Sequence, residues 1–115
     1  MRVRAHIWIN AYIRRLGAAF IPAVVARKGD ADAGAIFIKI ATLDGQARVL
    51  RPAIAGWDEA ATDRSWSLAL NGESVEERKA DDYLARQAEF DSDMWVIEIE
   101  DREGRHLLED AIISE

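Results

Sequence analysis

The chain contains no cysteine, which excludes disulfide bonds, thiolate zinc sites and cysteine nucleophiles together. Its two histidines, His6 and His106, stand at opposite ends of the sequence. No Gly-x-Ser-x-Gly motif is present to expose a serine nucleophile. No apolar run reaches the roughly 20 residues that a membrane-spanning helix needs. These absences predict neither a cofactor nor a membrane partner, and they leave few residues for enzyme chemistry.

The composition is that of one globular domain. The 115 residues are 50% apolar and 31% charged, so we expect a single soluble domain over residues 1–115. A chain without cysteine suits a reducing compartment, and we predict a cytoplasmic location.

The charge is unevenly distributed along the chain. Residues 1–56 carry nine basic and three acidic side chains, whereas residues 57–115 carry six and eighteen. Because the halves have opposite charge, we expect them to attract, either within one molecule or in a homodimer. The net charge of −6 argues against a nucleic-acid partner. A protein or a small molecule is the expected partner.

Two segments have the 3.6-residue periodicity of amphipathic helices. Apolar residues recur on one face over residues 5–16, and Gly17 is expected to end this helix. Ser74 and Glu77 have the spacing of a capping box, which predicts a second helix ending near Phe90. Its apolar face comprises Ala80, Tyr83, Leu84 and Ala88.

Asp44-Gly45 favours a two-residue type I′ turn between strands over residues 34–43 and 46–54. Leu43 then faces Gln46, and the buried face of the hairpin comprises Ile36, Ile38, Ile40, Thr42, Ala47 and Val49. The other, more polar face comprises Phe37, Lys39, Ala41, Arg48 and Leu50.

Three further strands are predicted. Pro22 confines a strand over residues 19–27 to a sheet edge, and a short strand is expected over residues 65–70. Residues 94–100 alternate, with Trp95, Ile97 and Ile99 directed inward and Glu98 and Glu100 outward. The tail after residue 104 either pairs back as a strand over residues 105–108 or forms a short helix over residues 107–113.

The elements together predict an α+β fold. An antiparallel sheet, a meander with the Asp-Gly hairpin, packs with the N-terminal helix and with a second helix that precedes the final strand. Trp8 and Trp95 are expected in the core, while Trp57 and Trp66, on poorly patterned segments, are expected to be partly exposed.

The densest group of charges and glycines is ARKGDADAG, residues 26–34. It does not fit a calcium-binding EF-hand loop, since the frame from Asp30 places Ala41 where a glutamate is required. It does not fit a phosphate-binding loop, since Ala35 replaces the lysine. A tight turn explains the glycines, but the four charges suggest binding of an anion by the cations or of a cation by the acids. The candidate binding residues are Arg27, Lys28, Gly29, Asp30, Asp32, Gly34 and Lys39.

A metal-dependent hydrolase acting on phosphate esters or nucleic acid is the alternative. Two carboxylates beside a hairpin lysine such as Lys39 suit a magnesium-dependent nuclease, although Phe37 stands where such a site has an acid. Carboxylates and an imidazole are also ligands that Mg²⁺ or Mn²⁺ accepts, whereas outward glutamates on a strand are usually a solvated face. The candidate metal ligands are Asp30, Asp32, Glu98, Glu100 and His106.

The stretches RKGDADAG (27–34) and DMWVIEIEDREGRH (93–106) resemble a small family of bacterial domains of unknown function. The resemblance covers nearly the whole chain, although proline is usual in that family where Ser92 stands. It implies a single bacterial domain and assigns no chemistry. The sequence therefore favours a non-enzymatic binding or protein-interaction module.

Overall fold

The structure is a computed structural model that describes residues 3–53 and 64–113. Its helices are α1 (Ala5–Ala18) and α2 (Glu77–Phe90). Its strands are β1 (Ala23–Arg27), β2 (Ile36–Ala41), β3 (Gln46–Pro52), β4 (Trp66–Leu68), β5 (Val75–Glu76) and β6 (Trp95–Glu100). Short 3-10 helices span Leu70–Gly72 and Glu109–Ala111. The predicted α+β fold is confirmed, and none of the described helices is long and apolar enough to cross a lipid bilayer.

One sheet contains all six strands, in the order β1-β6-β2-β3-β4, with β5 pairing to β3. Its pairs are antiparallel apart from β2 and β6, which run parallel. The parallel pair differs from a simple meander. It arises because α2 carries the chain over one face of the sheet, and β6 then enters between β1 and β2.

Both faces of the central strands β2 and β6 are largely buried. The α1 face packs Ile36, Ile38, Ile40, Leu50, Trp95, Ile97 and Ile99 against Ala5, Ile9, Tyr12 and Leu16. The α2 face packs Phe37, Ala47, Val49, Met94 and Val96 against Ala80 and Leu84. The prediction of a more polar second face is therefore wrong, because α2 covers it.

The predicted hairpin register is wrong by one residue. Lys39 pairs with Val49, and the loop has three residues rather than two. The Asp44 carboxylate stabilises this longer loop by accepting hydrogen bonds from the Thr42 hydroxyl (2.6 Å) and the Gln46 N–H (3.1 Å). Since both faces are buried, a one-residue shift exposes little apolar surface, and hydrophobic alternation does not discriminate between the registers.

The predicted capping box is also wrong. Ser74 does not cap α2, because Val75 and Glu76 pair with β3 as β5 and α2 begins only at Glu77. The Glu77 N–H donates instead to the Gly45 carbonyl (2.9 Å). A long-range contact with the hairpin thus replaces the local cap, and the helix still ends at Phe90 as predicted.

Trp66 is buried, contrary to the prediction, at 2% exposure. Its indole N–H donates to the Ile36 carbonyl (2.9 Å), and its ring lies 4.9 Å from that of Trp8. A partner for the indole N–H lets a tryptophan on a three-residue strand be fully buried. Trp57 and the predicted strand end at Ile54 lie outside the described residues.

The C-terminal segment is held against α1 through His106. The Tyr12 hydroxyl donates to the His106 carbonyl (2.7 Å), and the Leu108 N–H donates to His106 Nδ1 (3.0 Å). Burial lowers the pKa of His106. The chain then forms the 3-10 helix Glu109–Ala111, and Ile112 pairs with Trp66. Of the two predictions for the tail, the short helix over residues 107–113 is therefore closer to the structure than the strand over residues 105–108.

Replacement of Gly45 by alanine should destabilise the fold, because Gly45 has φ +85° and a side chain in the left-handed region costs about 1 kcal/mol. Gly17 is the control: it lies within α1, and a Cβ there meets nothing within 4 Å. Gly17→Ala should stabilise by about 0.5–1 kcal/mol through helix propensity. Urea unfolding of both variants measures the difference. A stable Gly45→Ala variant would contradict the hairpin geometry.

Stability should fall as the pH is lowered through the titration of His106. A base whose pKa is lower in the folded state contributes its full stability above the unfolded pKa, and the contribution is lost as pH falls through the folded pKa. His106→Asn retains an acceptor for the Leu108 N–H but does not titrate. Between about pH 7 and pH 5, its free energy of unfolding should fall less than that of the parent chain. Parallel pH profiles would contradict this role.

Candidate functional site

The residues 28–34, here called the 28–34 loop, connect β1 to β2 and cross the start of β6. A Cβ atom on Gly29 or on Gly34 would overlap the backbone carbonyl oxygen of Asp93. Only glycine allows so close an approach of two backbones. The two glycines of the sequence motif are therefore explained by the contact between this loop and the residue that precedes β6.

The N–H groups of the 28–34 loop are largely satisfied within the protein. Asp30 N–H donates to the Asp93 carbonyl (2.9 Å), and Gly34 N–H donates to the Asp30 carbonyl (3.3 Å). The Asp30 carboxylate accepts from the N–H groups of Asp32 (3.1 Å) and Ala33 (2.8 Å). These four N–H groups already have acceptors, so they do not form an open cradle for an anion.

The carbonyl groups of the same loop cap α1. Ala5 N–H donates to the Asp32 carbonyl (3.2 Å), and His6 N–H donates to the Ala31 carbonyl (3.0 Å). The residue before α1, Arg4, provides no side-chain cap, so the loop supplies acceptors for the first turn. The Trp95 indole N–H binds the Asp30 carbonyl (2.7 Å). Through these hydrogen bonds the 28–34 loop holds the start of α1 beside the start of β6.

Lys28, Asp30 and Asp32 are all exposed, but the Asp30 carboxylate is already used within the loop. The Asp32 carboxylate lies 3.8 Å from the equally exposed Arg4 guanidinium, a contact of little energetic weight. The Arg27 guanidinium, by contrast, donates to the Ser92 carbonyl (3.2 Å). A binding role for this loop stays a prediction, and Lys28 and Asp32 are the side chains available for it.

Lys39 lies apart from the loop, buried between α2 and the sheet at 3% exposure. Its Nζ is 2.7 Å from Asp81, 3.1 Å from Glu98 and 3.3 Å from Glu77. Burial alone would lower the pKa of Lys39, but the hydrogen bonds and charges of Asp81 and Glu98 raise it above its ordinary value. The side chain is therefore held as an ammonium group that joins α2 to the sheet.

Sequence reasoning missed the two α2 acids of this cluster. Glu77 and Asp81 are four residues apart and so lie on one helix face. That spacing, opposite a lysine in the otherwise apolar strand β2, was the available signal. Glu98 is also not the outward, solvated residue that the alternation of β6 predicted, because α2 covers its face of the sheet.

The candidate metal ligands are not brought together. Asp30 lies beside the residues that precede β6, whereas Glu100 is the last residue of β6. Because a six-residue strand spans about 17 Å, these two carboxylates are far apart. Glu98 pairs with Lys39, and His106 Nδ1 accepts the Leu108 N–H. Within residues 3–53 and 64–113, no three histidine, aspartate or glutamate side chains form a group that could hold a metal ion. The hydrolase alternative is not supported.

A cleft of about 690 Å³ opens between α2, β4 and the residues that follow β4. Its polar lining comprises Arg51, Ser67, Asn71 and Tyr83, beside Leu68 and Ile113. Burial raises the pKa of Tyr83, with the charge of Arg51 opposing this effect. The described lining residues include no carboxylate or imidazole.

Three exposed apolar residues lie in or directly before β1. Phe20, Val24 and Val25, here called the β1 edge surface, are 88%, 60% and 42% exposed. Among the described strands, β1 pairs with β6 alone. At the opposite edge the C-terminal segment covers β4, where Ile113 N–H donates to the Trp66 carbonyl (2.9 Å). Of the two sheet edges, β1 is the one left without such a cover among the described residues.

Phe20 has φ +61°, in the left-handed region that disfavours side chains. The strain comes from the end of α1: Ile21 N–H donates to the Leu16 carbonyl (2.9 Å) and Phe20 N–H to the Gly17 carbonyl (3.0 Å). This is a Schellman motif, in which the position of Phe20 is usually glycine. The helix thus ends through Phe20, and the prediction that Gly17 ends it is wrong.

Asp30 and Asp32 should respond differently to substitution. Asp30→Ala should cost about 1–2 kcal/mol, because two N–H groups lose their acceptor. Asp32→Asn should change stability by less than about 0.5 kcal/mol, because its carboxylate is exposed. Urea unfolding provides both values. A large loss for Asp32→Asn would make its carboxylate a structural group and remove it from the candidate binding residues.

Comparison with known proteins gives a consistent result. A family model described as "Protein of unknown function (DUF1491)" matches residues 3–109. The crystal structure of a DUF1491 family protein from Caulobacter crescentus CB15 is 40% identical, with a TM-score of 0.80, over 99% of this chain and 100% of that one. An NMR structure of a DUF1491 family protein from the same organism is also 40% identical, with a TM-score of 0.79, over 99% of each chain.

A third solved structure is more distant. The solution structure of protein Atu0922 from A. tumefaciens is 36% identical, with a TM-score of 0.75, over 87% of this chain and 86% of that one. No match is found among curated proteins. The resemblance to a family of unknown function is confirmed by these matches. The chain belongs to the DUF1491 family of proteins of unknown function.

Proposed function

We propose that this protein is a non-enzymatic protein-interaction module that binds its partner through the β1 edge surface. The observation that carries the proposal is Phe20, which is 88% exposed in a left-handed conformation. Glycine at this position would relieve the backbone strain and remove the exposed ring. An unfavourable conformation that stability does not require is typical of functional positions.

Strand addition is the binding mode that suits this surface. The outer edge of β1 presents backbone N–H and C=O groups to an incoming strand, and the valines at 24 and 25 add apolar contacts on the two faces of the sheet. Pro22 and the bulge between Val25 and Arg27 limit the length of the edge. Such features protect an edge strand from indiscriminate pairing, so a partner must match a short segment in one register.

The chemistry of the buried groups supports a role without catalysis. Lys39 is held as a cation by three carboxylates, and the cleft beside Tyr83 has no acid–base pair among its described lining residues. Exposed aromatic side chains such as Phe20 are enriched at interaction surfaces. A cytoplasmic location in a bacterium and a single domain over residues 1–115 belong to the same proposal.

Phe20→Gly should raise stability and weaken binding at once. Relief of the left-handed strain should raise the free energy of unfolding by about 0.5–1 kcal/mol. Affinity capture from extracts of the native cells should lose the proteins bound by the parent chain. Phe90→Ala is the matched control, since Phe90 is also 88% exposed but lies at the end of α2.

The two readouts separate a structural role from a binding role. A lower stability of Phe20→Gly would mean that the ring packs within the fold, and an unchanged set of captured proteins would remove the β1 edge surface as the contact. Loss of the same proteins by Phe90→Ala would likewise assign binding to a different surface.

A further inference from the structure

We infer that the cleft between α2 and β4 is a binding site for a small monocarboxylate that has an apolar body. This inference goes beyond the proposed interaction and does not depend on it, because β4 and β1 lie at opposite edges of the sheet. The cleft volume of about 690 Å³ falls within the range of about 300–1,000 Å³ that is usual for small-molecule sites.

The polar wall of the cleft is built by strand register. Arg51 of β3 is paired with Ser67 of β4, so their side chains lie on the same face of the sheet. Val49, two residues before Arg51, packs on the α2 face, and alternation along the strand places Arg51 on that face too. Over the same face α2 brings Tyr83, whose ring lies edge-on to that of Phe37 with 6.5 Å between their centroids. A guanidinium and two hydroxyl groups therefore line one cleft.

The charge of this wall favours an anion. Arg51 is the charged side chain among the described lining residues. Burial raises the pKa of Tyr83 and the Arg51 charge opposes this effect, so the guanidinium acts at the hydroxyl, which stays protonated at neutral pH. Within residues 3–53 and 64–113 the Tyr83 hydroxyl makes no hydrogen bond. It is a donor for a ligand.

The donor set suits a carboxylate. An arginine guanidinium donates two parallel hydrogen bonds to the two oxygens of a carboxylate, and the Tyr83 hydroxyl can donate a third. One cation among the described lining residues balances a single negative charge, whereas a phosphate monoester brings a charge of about −1.5 to −2. The expected ligand group is therefore a carboxylate.

The remaining lining is apolar and partly open to water. Leu68 and Ile113 line the cleft and are 45% and 44% exposed, and the half-buried Leu70 and Ile112 lie beside them. Removal of such surface from water favours binding. The ligand should therefore combine its carboxylate with an apolar body that covers these side chains.

The turn that follows β4 gives the cleft a fixed wall. Leu70, Asn71 and Gly72 have φ angles of 54°, 58° and 74°, a left-handed conformation that is unfavourable for leucine. The turn is held by hydrogen bonds from Gly72 N–H to the Ala69 carbonyl (3.0 Å) and from Glu73 N–H to the Leu70 carbonyl (3.1 Å). Strained backbone held by its surroundings is common beside ligand sites, and a preformed wall lowers the ordering cost of binding.

The test is an NMR titration of the isotope-labelled full-length chain with phenylpropionate, a monocarboxylate with an aromatic body. The backbone N–H signals of residues 67–72, 83 and 112–113 should shift in a saturable way, with a dissociation constant of about a millimolar for a ligand of this size. Phenylpropionamide lacks the charge and propionate lacks the ring. Each should bind about tenfold more weakly, because each keeps one half of the recognition.

Two substitutions test the polar wall. Tyr83→Phe removes the hydroxyl group alone and should weaken phenylpropionate binding by about threefold to tenfold. Arg51→Gln removes the charge and should weaken it by about tenfold or more. The control is Arg78→Gln, which removes the same charge at an exposed position of α2 outside the cleft lining and should bind like the parent chain. Circular dichroism checks each fold, and if Arg51→Gln does not fold, Tyr83→Phe decides alone.

Each other outcome overturns a defined statement. Equal binding of the amide, or tighter binding of phenyl phosphate, overturns the carboxylate, and equal binding of propionate overturns the apolar body. No saturable shift at about tenfold above the expected dissociation constant, shifts confined to other residues, or unchanged affinity of the folded polar-wall variants overturns the site. None of these results changes the capture experiment with Phe20→Gly, so the site and the proposed interaction are tested separately.

Discussion

The structure depends on the burial of β6 on both of its faces and along both of its edges. β6 lies between β1 and β2. Its residues Trp95, Ile97 and Ile99 pack on the α1 face of the sheet. Val96, together with the preceding Met94, packs on the α2 face. A strand in this position connects the two hydrophobic clusters. The 28–34 loop packs against the start of β6, and the segment that follows α1 packs against the end of β6.

One cost of covering both faces is visible at Lys39 and Glu98. They pair in register on neighbouring strands beneath α2, where an isolated charge would be strongly unfavourable. Glu77 and Asp81 complete the compensation, and their partial exposure lets water solvate the excess negative charge. The cluster is a structural contact of α2, and the hairpin lysine that resembled part of a nuclease site has this role instead.

The exposed apolar side chains are not spread evenly over the sheet. Backbone hydrogen bonds satisfy the end of α1 and the outer edge of β4, whereas the β1 edge surface keeps two valines and a strained phenylalanine in contact with water. Hydrophobic burial explains the rest of the sheet but offers no reason for this exposure within one chain. This exposure is the observation on which the proposed interaction rests.

Local patterns in the sequence were sufficient for α1, for the span of β6, for the edge position of β1 and for the end of α2. Each of these depends on periodicity or on the missing N–H of Pro22, which are properties of a few neighbouring residues. The family resemblance rested on short stretches in the same way. The order of these elements along the chain was sufficient to predict the α+β fold.

Tertiary structure alone decided the hairpin register, the start of α2, the burial of Trp66 and the partners of Lys39. In each case the deciding contact joins residues distant in sequence: α2 covering the second sheet face, β5 pairing with β3, and the Ile36 carbonyl accepting the indole N–H. The same holds for the candidate site. The sequence identified the 28–34 loop by its glycines and charges, but only the contact with Asp93 explains those glycines, and only the fold brings Glu100 beside the start of β1.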